Sequence, residues 1–313
     1  MYNLVQKRRW YFGFSGILLV LGIAAMIYST IVIGSPLRLS IDFVGGSLLE
    51  VAFDADHATE EVRGLVMDAG YADPVVNTVD DNRTFVIRTK EMDVRSKDAL
   101  LATLASRLGP VTERRYESVG PTIGRETTRS AGLAIAATSL VILLFIAFAF
   151  RSVPNAFRYG VCAIAKMLHD VLIVLGLAAL MGVVAGWEMD ALFLTAVLTV
   201  VGFSVQDVIV VFDRIRENIT RHRDEDYETI VNRSLLETLH RSLATQLNAI
   251  FVMVAIILFG GATMRQFMLT MLVGMVTGTY SSLFFAVPLL VVWEQGALSG
   301  LRRLFARRGA SAA

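Results

Sequence analysis

Charge is scarce in this chain of 313 residues, and the scarcity argues against several classes of protein. Asp, Glu, Lys and Arg together make up 18% of the residues, below the roughly 25% of ordinary soluble domains. The formal net charge is +1, so no overall field favours nucleic acid or an acidic substrate as a partner. Hydrophobic residues make up 55%, a balance that favours a membrane protein.

Cysteine and catalytic motifs are lacking as well. The single cysteine, Cys162, excludes an internal disulfide, so any part outside the cytoplasm must hold together by packing alone. Cys162 itself is interpreted as a small residue that faces lipid or another helix. The sequence has no phosphate-binding glycine loop, no spaced metal ligands and no nucleophile–base pair. We therefore expect neither an enzyme nor a cofactor-binding protein.

Six long apolar runs predict six membrane-spanning helices. The first, within residues 1–33, covers 11–33 without a charge and follows a Lys-Arg-Arg cluster. It meets the roughly 20 residues needed to cross a hydrocarbon core and exceeds the roughly 7–15 apolar residues of a signal peptide, so it predicts a retained anchor. The other spans lie within 130–296, at residues 130–150, 159–184, 191–212, 242–262 and 267–293.

Residues 34–129 are polar and mixed in charge, and they predict a folded domain between the first two spans. Helix-like patterns at 58–69 and 96–108, the second capped by Ser96, alternate with strand-like patterns at 47–53, 75–79, 84–88 and 111–118. The order βαββαβ is typical of ferredoxin-like domains. The expected fold is a membrane all-α six-helix bundle with an inserted α+β, ferredoxin-like, extracytoplasmic domain.

The loop charges predict the orientation. Arg and Lys cluster before the first span, in two alternate loops and in a basic tail at 297–313. The remaining short loops carry Glu188 and Asp190, or only Arg265. By the positive-inside rule both termini are cytoplasmic and the inserted domain lies outside. The charged segment 213–241 is long enough for an amphipathic helix on the membrane surface.

Ionisable residues occur inside the third span, where Lys166, His169 and Asp170 interrupt the apolar run. A buried charge costs about 2.5–3.5 kcal/mol on insertion scales, so such residues usually face the bundle interior and serve a pathway. Lys166 and Asp170 are four apart and share one helix face. They are either a structural ion pair or part of a pathway, and His169 is interpreted as a satisfied interior imidazole.

Asp207 in the fourth span has no basic residue within a turn on its own helix. Burial raises the pKa of a carboxyl group and a nearby cation lowers it, so its proton can become exchangeable near neutral pH. Because the fourth and fifth spans form an antiparallel hairpin, we predict that Asp207 pairs with Arg241, which precedes the polar residues Gln246 and Asn248. Snorkelling at the membrane boundary would also account for Arg241.

Several stretches resemble signatures of the SecD/SecF family of protein-export membrane proteins, in its SecF branch. The fourth span and its end, 202–218, carry the most specific of them, and one departure is Gln-Asp-Val at 206–208 where the family usually has Asn-Asp-Thr. The others are Ile-Asp-Phe-Val-Gly-Gly at 41–46, Gly-Pro-Thr-Ile-Gly at 120–124, His-Asp-Val at 169–171 and the entry to the fifth span at 232–242. The resemblance as a whole extends over nearly the whole chain.

The resemblance implies a subunit of a SecD–SecF complex, of the RND superfamily, that assists Sec-dependent export using the proton-motive force. It implies the bacterial cytoplasmic membrane and the following partners: SecD, the SecYEG translocon, SecA indirectly, YajC, the translocating preprotein, protons and membrane lipid, but no nucleic acid. Asp207 and Arg241 match residues implicated in proton passage, and we place Asp170 on the same polar line.

Two glycine features carry further expectations. Asp42, Phe43, Gly45 and Gly46 are expected to form a hinge between the first span and the domain, because Gly-Gly permits positive φ. In the sixth span a Gly-x-x-x-Gly spacing at 274–278 predicts a close helix contact.

Two other functions stay open. One is half of an RND-type efflux or lipid transporter, against which the short loop between spans three and four argues. The other is a non-conducting structural subunit of the translocon.

Overall fold

The computed structural model describes residues 3–72, 74–80, 82–149, 151 and 156–296, so the predicted basic tail lies outside the described residues. The chain divides into two compact units. The membrane unit comprises Met1–Leu37, Ile135–Trp187 and Leu192–Ala313, and the inserted domain comprises Arg38–Ala134 with Glu188–Ala191.

The elements follow one another in chain order as α1 (Arg8–Ile33), α2 (Ile41–Val44), β1 (Gly46–Phe53), α3 (Thr59–Asp68), β2 (Val75–Asp80), β3 (Thr84–Thr89), α4 (Val94–Leu108), β4 (Val111–Val119), α5 (Pro121–Ala149), α6 (Ala156–Val184), α7 (Ala191–Arg221), α8 (Tyr227–Phe259), α9 (Ala262–Ser281) and α10 (Val287–Glu294). A short 3₁₀ turn precedes α1, and a π-helical turn, Ser282–Ala286, joins α9 to α10.

Within the described residues, six helical stretches are long and apolar enough to cross a membrane. They are α1 with its preceding turn, α5, α6, α7, α8, and α9 continued through the π turn into α10. The prediction of a multi-pass membrane protein with six spans is confirmed. In the most apolar stretches of α6, α7 and the sixth span, half or more of the residues are buried. In those of α1 and α5, 6% are buried. The first group therefore forms the interior of the membrane unit.

The charged segment 213–241 differs from the expected surface helix. Helix α7 continues to Arg221 and α8 begins at Tyr227, so the segment consists of two helix extensions and a short turn. The carboxylate of Asp226 caps α8 by accepting a hydrogen bond from the Thr229 amide at 3.1 Å. Arg214 on α7 pairs with Glu237 on α8 at 2.6 Å. This ion pair joins the two helix extensions to each other.

Glycines allow two close helix contacts in the membrane unit. A Cβ atom on Gly176 of α6 would lie 2.3 Å from the Cα atom of Gly22 on α1, closer than any real contact. On α9, a Cβ atom on Gly274 would lie 2.4 Å from a methyl carbon of Val200 on α7. The expected close contact at the Gly-x-x-x-Gly spacing is therefore present at Gly274.

The inserted domain is a four-stranded antiparallel sheet in the order β2-β3-β1-β4, with α3 and α4 packed on it. Its core joins alternate strand residues such as Leu49 and Phe85 to helix residues such as Val62 and Leu100. This order is that of the ferredoxin-like fold, so the predicted βαββαβ domain is confirmed.

Two local features of the domain differ from the expected elements. Helix α4 begins at Val94, because the carboxylate of Asp93 accepts a hydrogen bond from the Ser96 amide at 2.9 Å. Asp93, and not Ser96, is therefore the N-cap, as an acceptor three residues ahead of a free amide should be. The short helix α2 was not predicted, and the Ser40 hydroxyl caps it by accepting from the Asp42 amide at 3.2 Å.

The contact between Gly22 and Gly176 predicts a stability difference between two glycine substitutions. Gly176→Ala should cost about 1–3 kcal/mol, because the new methyl group forces α1 and α6 apart. Gly13→Ala on α1 is the control, since a Cβ atom there would have no atom of another element within 4 Å. The better helix propensity of Ala should leave stability equal or higher. Thermal unfolding of the purified protein in detergent measures both, and equal melting temperatures would contradict the packing.

Candidate functional site

A fully buried ion pair lies in the interior of the membrane unit. The ammonium Nζ of Lys166 lies 2.8 Å from Oδ2 of Asp170, one helical turn further along α6. The two side chains are 0% and 1% exposed. A pair so completely removed from water must have its remaining hydrogen-bonding capacity satisfied by other groups.

Ser204 of α7 provides the additional hydrogen bonds for this ion pair. Lys166 Nζ donates to the backbone oxygen of Ser204 at 2.7 Å and to its hydroxyl oxygen at 2.5 Å. The same hydroxyl donates to Asp170 Oδ2 at 2.6 Å. Gly278 of α9 closes the group, since a Cβ atom there would lie only 3.7 Å from Asp170 Oδ2 and 3.9 Å from Lys166 Nζ. Three spans therefore meet at one ammonium–carboxylate–hydroxyl triangle.

His169 flanks this triangle. Its Nδ1 lies 3.0 Å from Asp170 Oδ1, and its ring stacks on Phe285 in the π turn with centroids 4.7 Å apart. In the tautomer that carries its proton on Nδ1, the ring donates to the carboxylate and leaves Nε2 as an acceptor. Nε2 is buried and has no hydrogen-bond partner among the described residues. The expected satisfied imidazole is therefore satisfied on one nitrogen only.

Asp207 lies one turn beyond Ser204 on α7 and brings a second carboxylate into the interior. It is 8% exposed, and its Oδ2 accepts a hydrogen bond from Gln246 Nε2 of α8 at 2.6 Å. Asp207 shares the side of α7 that carries Ser204, which bonds both Lys166 and Asp170. Together Lys166, Asp170, Ser204, Asp207 and Gln246 form what we call the polar cluster.

Arg241 does not take the position expected for it. Among the described ionisable residues no ion pair joins it to Asp207, and its side chain is exposed. The buried side of α8 here carries Ser242 and Gln246, four residues apart. Arg241 lies five residues before Gln246, which turns it about 140° around the helix axis. Asp207 therefore pairs with a neutral amide, and the predicted Asp207–Arg241 pair is absent from this arrangement.

The cluster contains two residues whose role sequence reasoning missed. Gln246 was recognised as a polar residue in an apolar span but was not matched to Asp207. Ser204 was not singled out, although it lies three residues before Asp207 and therefore shares its side of α7. Helical spacing from Asp207 was the signal that could have found Ser204, whereas the contact of Gln246 joins two different helices. Asn248, by contrast, is exposed.

The signature residues around Asp42 form a second group, within the inserted domain unit. Asp42 Oδ2 accepts a hydrogen bond from the amide of Ala191, the first residue of α7, at 3.0 Å. A carboxylate in this place accepts a hydrogen bond from a free amide at a helix N-terminus, and its negative charge interacts favourably with the positive end of the helix dipole. Asp42 is therefore a capping group for a helix that begins 149 positions later in the chain.

The glycines beside Asp42 permit close backbone approach. Gly45 and Gly46 have φ values of +77° and +124°. A Cβ atom on Gly46 would lie 2.7 Å from the Thr89 carbonyl oxygen, and one on Gly124 would lie 2.7 Å from the Gly45 nitrogen. The Thr128 hydroxyl donates to the Phe43 carbonyl at 3.0 Å. The two glycine motifs of the sequence thus pack against each other, backbone to backbone.

The fold and the polar cluster define a polytopic membrane protein that carries ionisable side chains in the interior of its spans. Residues 30–56 match the family profile described as the SecD/SecF GG motif, and residues 101–296 match that of the protein export membrane protein SecD/SecF, C-terminal. The chain belongs to the SecD/SecF family of protein-export membrane proteins.

Individual relatives agree with this assignment. The chain is 47% identical to the protein translocase subunit SecF of Anaerolinea thermophila, over 95% of each chain. It is 46% identical to the corresponding subunit of Thermobaculum terrenum, over 91% of this chain and 93% of the relative. Among solved structures it resembles SecDF, a translocon-associated membrane protein from Thermus thermophilus, with a TM-score of 0.81 and 31% identity. The match covers 94% of this chain but 39% of that longer one.

The polar cluster predicts an asymmetry between single and double substitutions. Lys166→Met should cost about 3–5 kcal/mol, because it leaves Asp170 buried without its cation. Lys166→Met combined with Asp170→Leu removes both charges and should recover much of that loss. Denaturant unfolding of the purified protein measures both.

The control is Arg83→Met, which breaks the exposed Arg83–Asp56 pair of the inserted domain and should cost less than about 1 kcal/mol. A double variant as unstable as Lys166→Met alone would mean that the charges do not depend on each other.

Proposed function

We propose that this chain is the SecF-type subunit of a SecDF complex, which assists Sec-dependent protein export across the bacterial cytoplasmic membrane using the proton-motive force. One observation carries the proposal: within a member of the SecD/SecF family, two carboxylates and one ammonium group are buried together in the spans. The relatives named as protein translocase subunits support the export role, and the resemblance to SecDF supports a SecD partner.

The formal charges of the polar cluster support proton binding. Lys166 carries one positive charge, whereas Asp170 and Asp207 together carry two negative charges when both are ionised. One bound proton would therefore bring the cluster to neutrality. Asp170 is already engaged with Lys166 and Ser204, but Asp207 is held by a neutral amide. Asp207 is the carboxylate that takes up and releases the proton in our proposal, with Asp170 and Lys166 as the fixed pair beside it.

Arg241 belongs to the pathway from a different position. Its side chain is exposed. Only 17% of the residues in the most apolar stretch of α8 are buried, so most of this helix faces outward. We propose that Arg241 faces the SecD-type partner and compensates charge there, or reaches Asp207 when α8 turns. Asp42, Phe43, Gly45 and Gly46 serve as the hinge at which the first span meets the domain.

The free energy released by one proton crossing the membrane limits how far each transport cycle can shift the conformational equilibrium. A charge that falls through about 100 mV releases about 2.3 kcal/mol. A shift of a two-state equilibrium from 1:99 to 99:1 takes about 5.5 kcal/mol. One proton at this potential therefore shifts the populations only in part, and several protons or an added pH gradient complete the change.

The orientation and the remaining partners follow from the same proposal. The positively charged loops support cytoplasmic termini and an outside domain. The SecYEG translocon, SecA indirectly, YajC, the preprotein and membrane lipid would then be the surroundings of the complex. A transporter half would need a larger second outside loop, whereas only residues 185–190 connect α6 to α7.

The substitution Asp207→Asn tests the proton assignment. It keeps the hydrogen-bonding shape but removes the exchangeable proton, so it should abolish the proton-dependent part of export and the proton flux in vesicles that hold this chain with its partner. Both rates are measured with and without an imposed proton-motive force.

Asp213→Asn is the matched control. Asp213 lies on the same helix, is 57% exposed and pairs with Arg216 on the surface, so its loss should leave both rates unchanged. Native export and proton flux in Asp207→Asn would overturn the pathway and leave a structural subunit as the function.

A further inference from the structure

The loop between α6 and α7 is part of the inserted domain. Residues 185–187 follow the end of α6, and the next four, Glu188–Ala191, group with the domain and not with the spans. We call Glu188–Ala191 the strap. On one side residues 185–187 link the strap to α6, which carries Lys166 and Asp170. On the other side its last residue begins α7, which carries Ser204 and Asp207.

Backbone hydrogen bonds attach the strap to the segment that enters the domain. The Ser40 amide donates to the Met189 carbonyl at 3.0 Å, and the Met189 amide donates to the Arg38 carbonyl at 2.8 Å. These two bonds make an isolated parallel bridge between Leu39 and Met189. With the cap from Asp42 to Ala191, three hydrogen bonds hold four residues, so the strap has little freedom to move by itself.

Glu188 adds a charged connection to the sheet. Its carboxylate pairs with Arg38 Nε at 3.2 Å and with the guanidinium of Arg88. Arg88 lies in β3, in register with Leu48 of β1. Glu188 is 9% exposed, and the two arginines are 19% and 18% exposed. No other described carboxylate forms an ion pair with either arginine.

The arginines depend on this carboxylate. Burial lowers the pKa of Arg88 to about 10, and the positive charges of Arg38 and Arg115 act in the same direction. Arg88 is therefore still a cation at neutral pH, held among other cations in a poorly hydrated place. Glu188 supplies the counter-charge for both arginines, so it is the group that makes the contact between strap and sheet favourable.

We propose that Glu188, clamped by Arg38 and Arg88, is the positioning residue through which movement of α6 and α7 reaches the inserted domain. The proposal rests on the proposed proton-driven function. A rearrangement of the polar cluster moves the ends of α6 and α7, and residues 185–187 are too few to absorb that movement. The strap passes the movement to β3 through Glu188. It also passes the movement to the segment that enters the domain, through the backbone bridge between Leu39 and Met189. In this mechanism the strap stays attached throughout the cycle.

The first test is Glu188→Gln in the complex with its partner. Proton-stimulated export should fall by about fivefold or more, the lower range of coupling between sites, while hydrogen exchange of the amides of β1 and β3 stays as in the native protein. Asp56→Asn is the control, because it breaks the exposed Arg83–Asp56 pair of the same domain and should change neither readout. Native export by Glu188→Gln would overturn the proposal, and so would loss of amide protection in β1 and β3, which would make Glu188 a structural residue of the domain.

The second test restores the link by another means. Leu39→Cys and Met189→Cys, added to Glu188→Gln in a Cys162→Ala background, place two thiols on adjacent bridged chains, whose spacing suits a disulfide. The oxidised protein should regain most of the lost export, and reduction should remove the gain. Oxidised protein that stays as inactive as Glu188→Gln, or Cys substitutions that block export in a Glu188 background, would show that the strap must detach and would overturn a permanent link.

The two proposals can fail separately. Native export by Asp207→Asn would end the proton assignment, and the rescue by the disulfide would still decide whether the strap connects spans and domain. Loss of export in Asp207→Asn together with native export by Glu188→Gln would keep the proton pathway and exclude the strap as its route.

Discussion

The ammonium group of Lys166 is wholly removed from solvent, and the arrangement of the interior spans follows from that single constraint. A buried cation needs a counterion and further acceptors, which here are Asp170 on its own helix and the hydroxyl and carbonyl oxygens of Ser204 on α7. Helix α7 must therefore approach α6 closely, and Gly278 lets α9 pass beside the group without a side chain. The peripheral helices α1 and α5 carry no comparable demand and remain largely exposed.

The spans and the domain were largely predictable, because both follow from local patterns. Uninterrupted apolar runs found the six membrane helices, and alternating strand and helix patterns found the ferredoxin-like domain. The helix ends were less predictable. Hydropathy bounds a span where polar residues occur, whereas the helix itself extends to its cap or turn, as α8 extends back to its N-cap Asp226. The extensions of α7 and α8 are held by pairs such as Arg214–Glu237, which join residues that no local pattern relates.

The candidate site was predictable in its carboxylates but not in their partners. Asp170 and Asp207 stood out because charge is costly in an apolar span. Arg241 was predicted as the partner of Asp207 because of its charge, without regard to which side of α8 it occupies. The side of α8 that faces Asp207 carries Gln246 instead. The contacts of Asp42 and Glu188 could not be foreseen at all. They join segments far apart in the chain, and only the tertiary fold brings them together.

The strap also sets an order of events during synthesis. The strands and helices of the inserted domain are complete at Val119, so most of the domain can fold once that stretch has been translated. Its last ligands, Glu188 for Arg38 and Arg88 and the Ala191 amide for Asp42, are translated only after α5 and α6. Until then Arg38, Arg88 and Asp42 lack the contacts that these later residues supply. The loop between the third and fourth spans therefore supplies the last contacts of the domain, so the domain is complete only after the third span has been made.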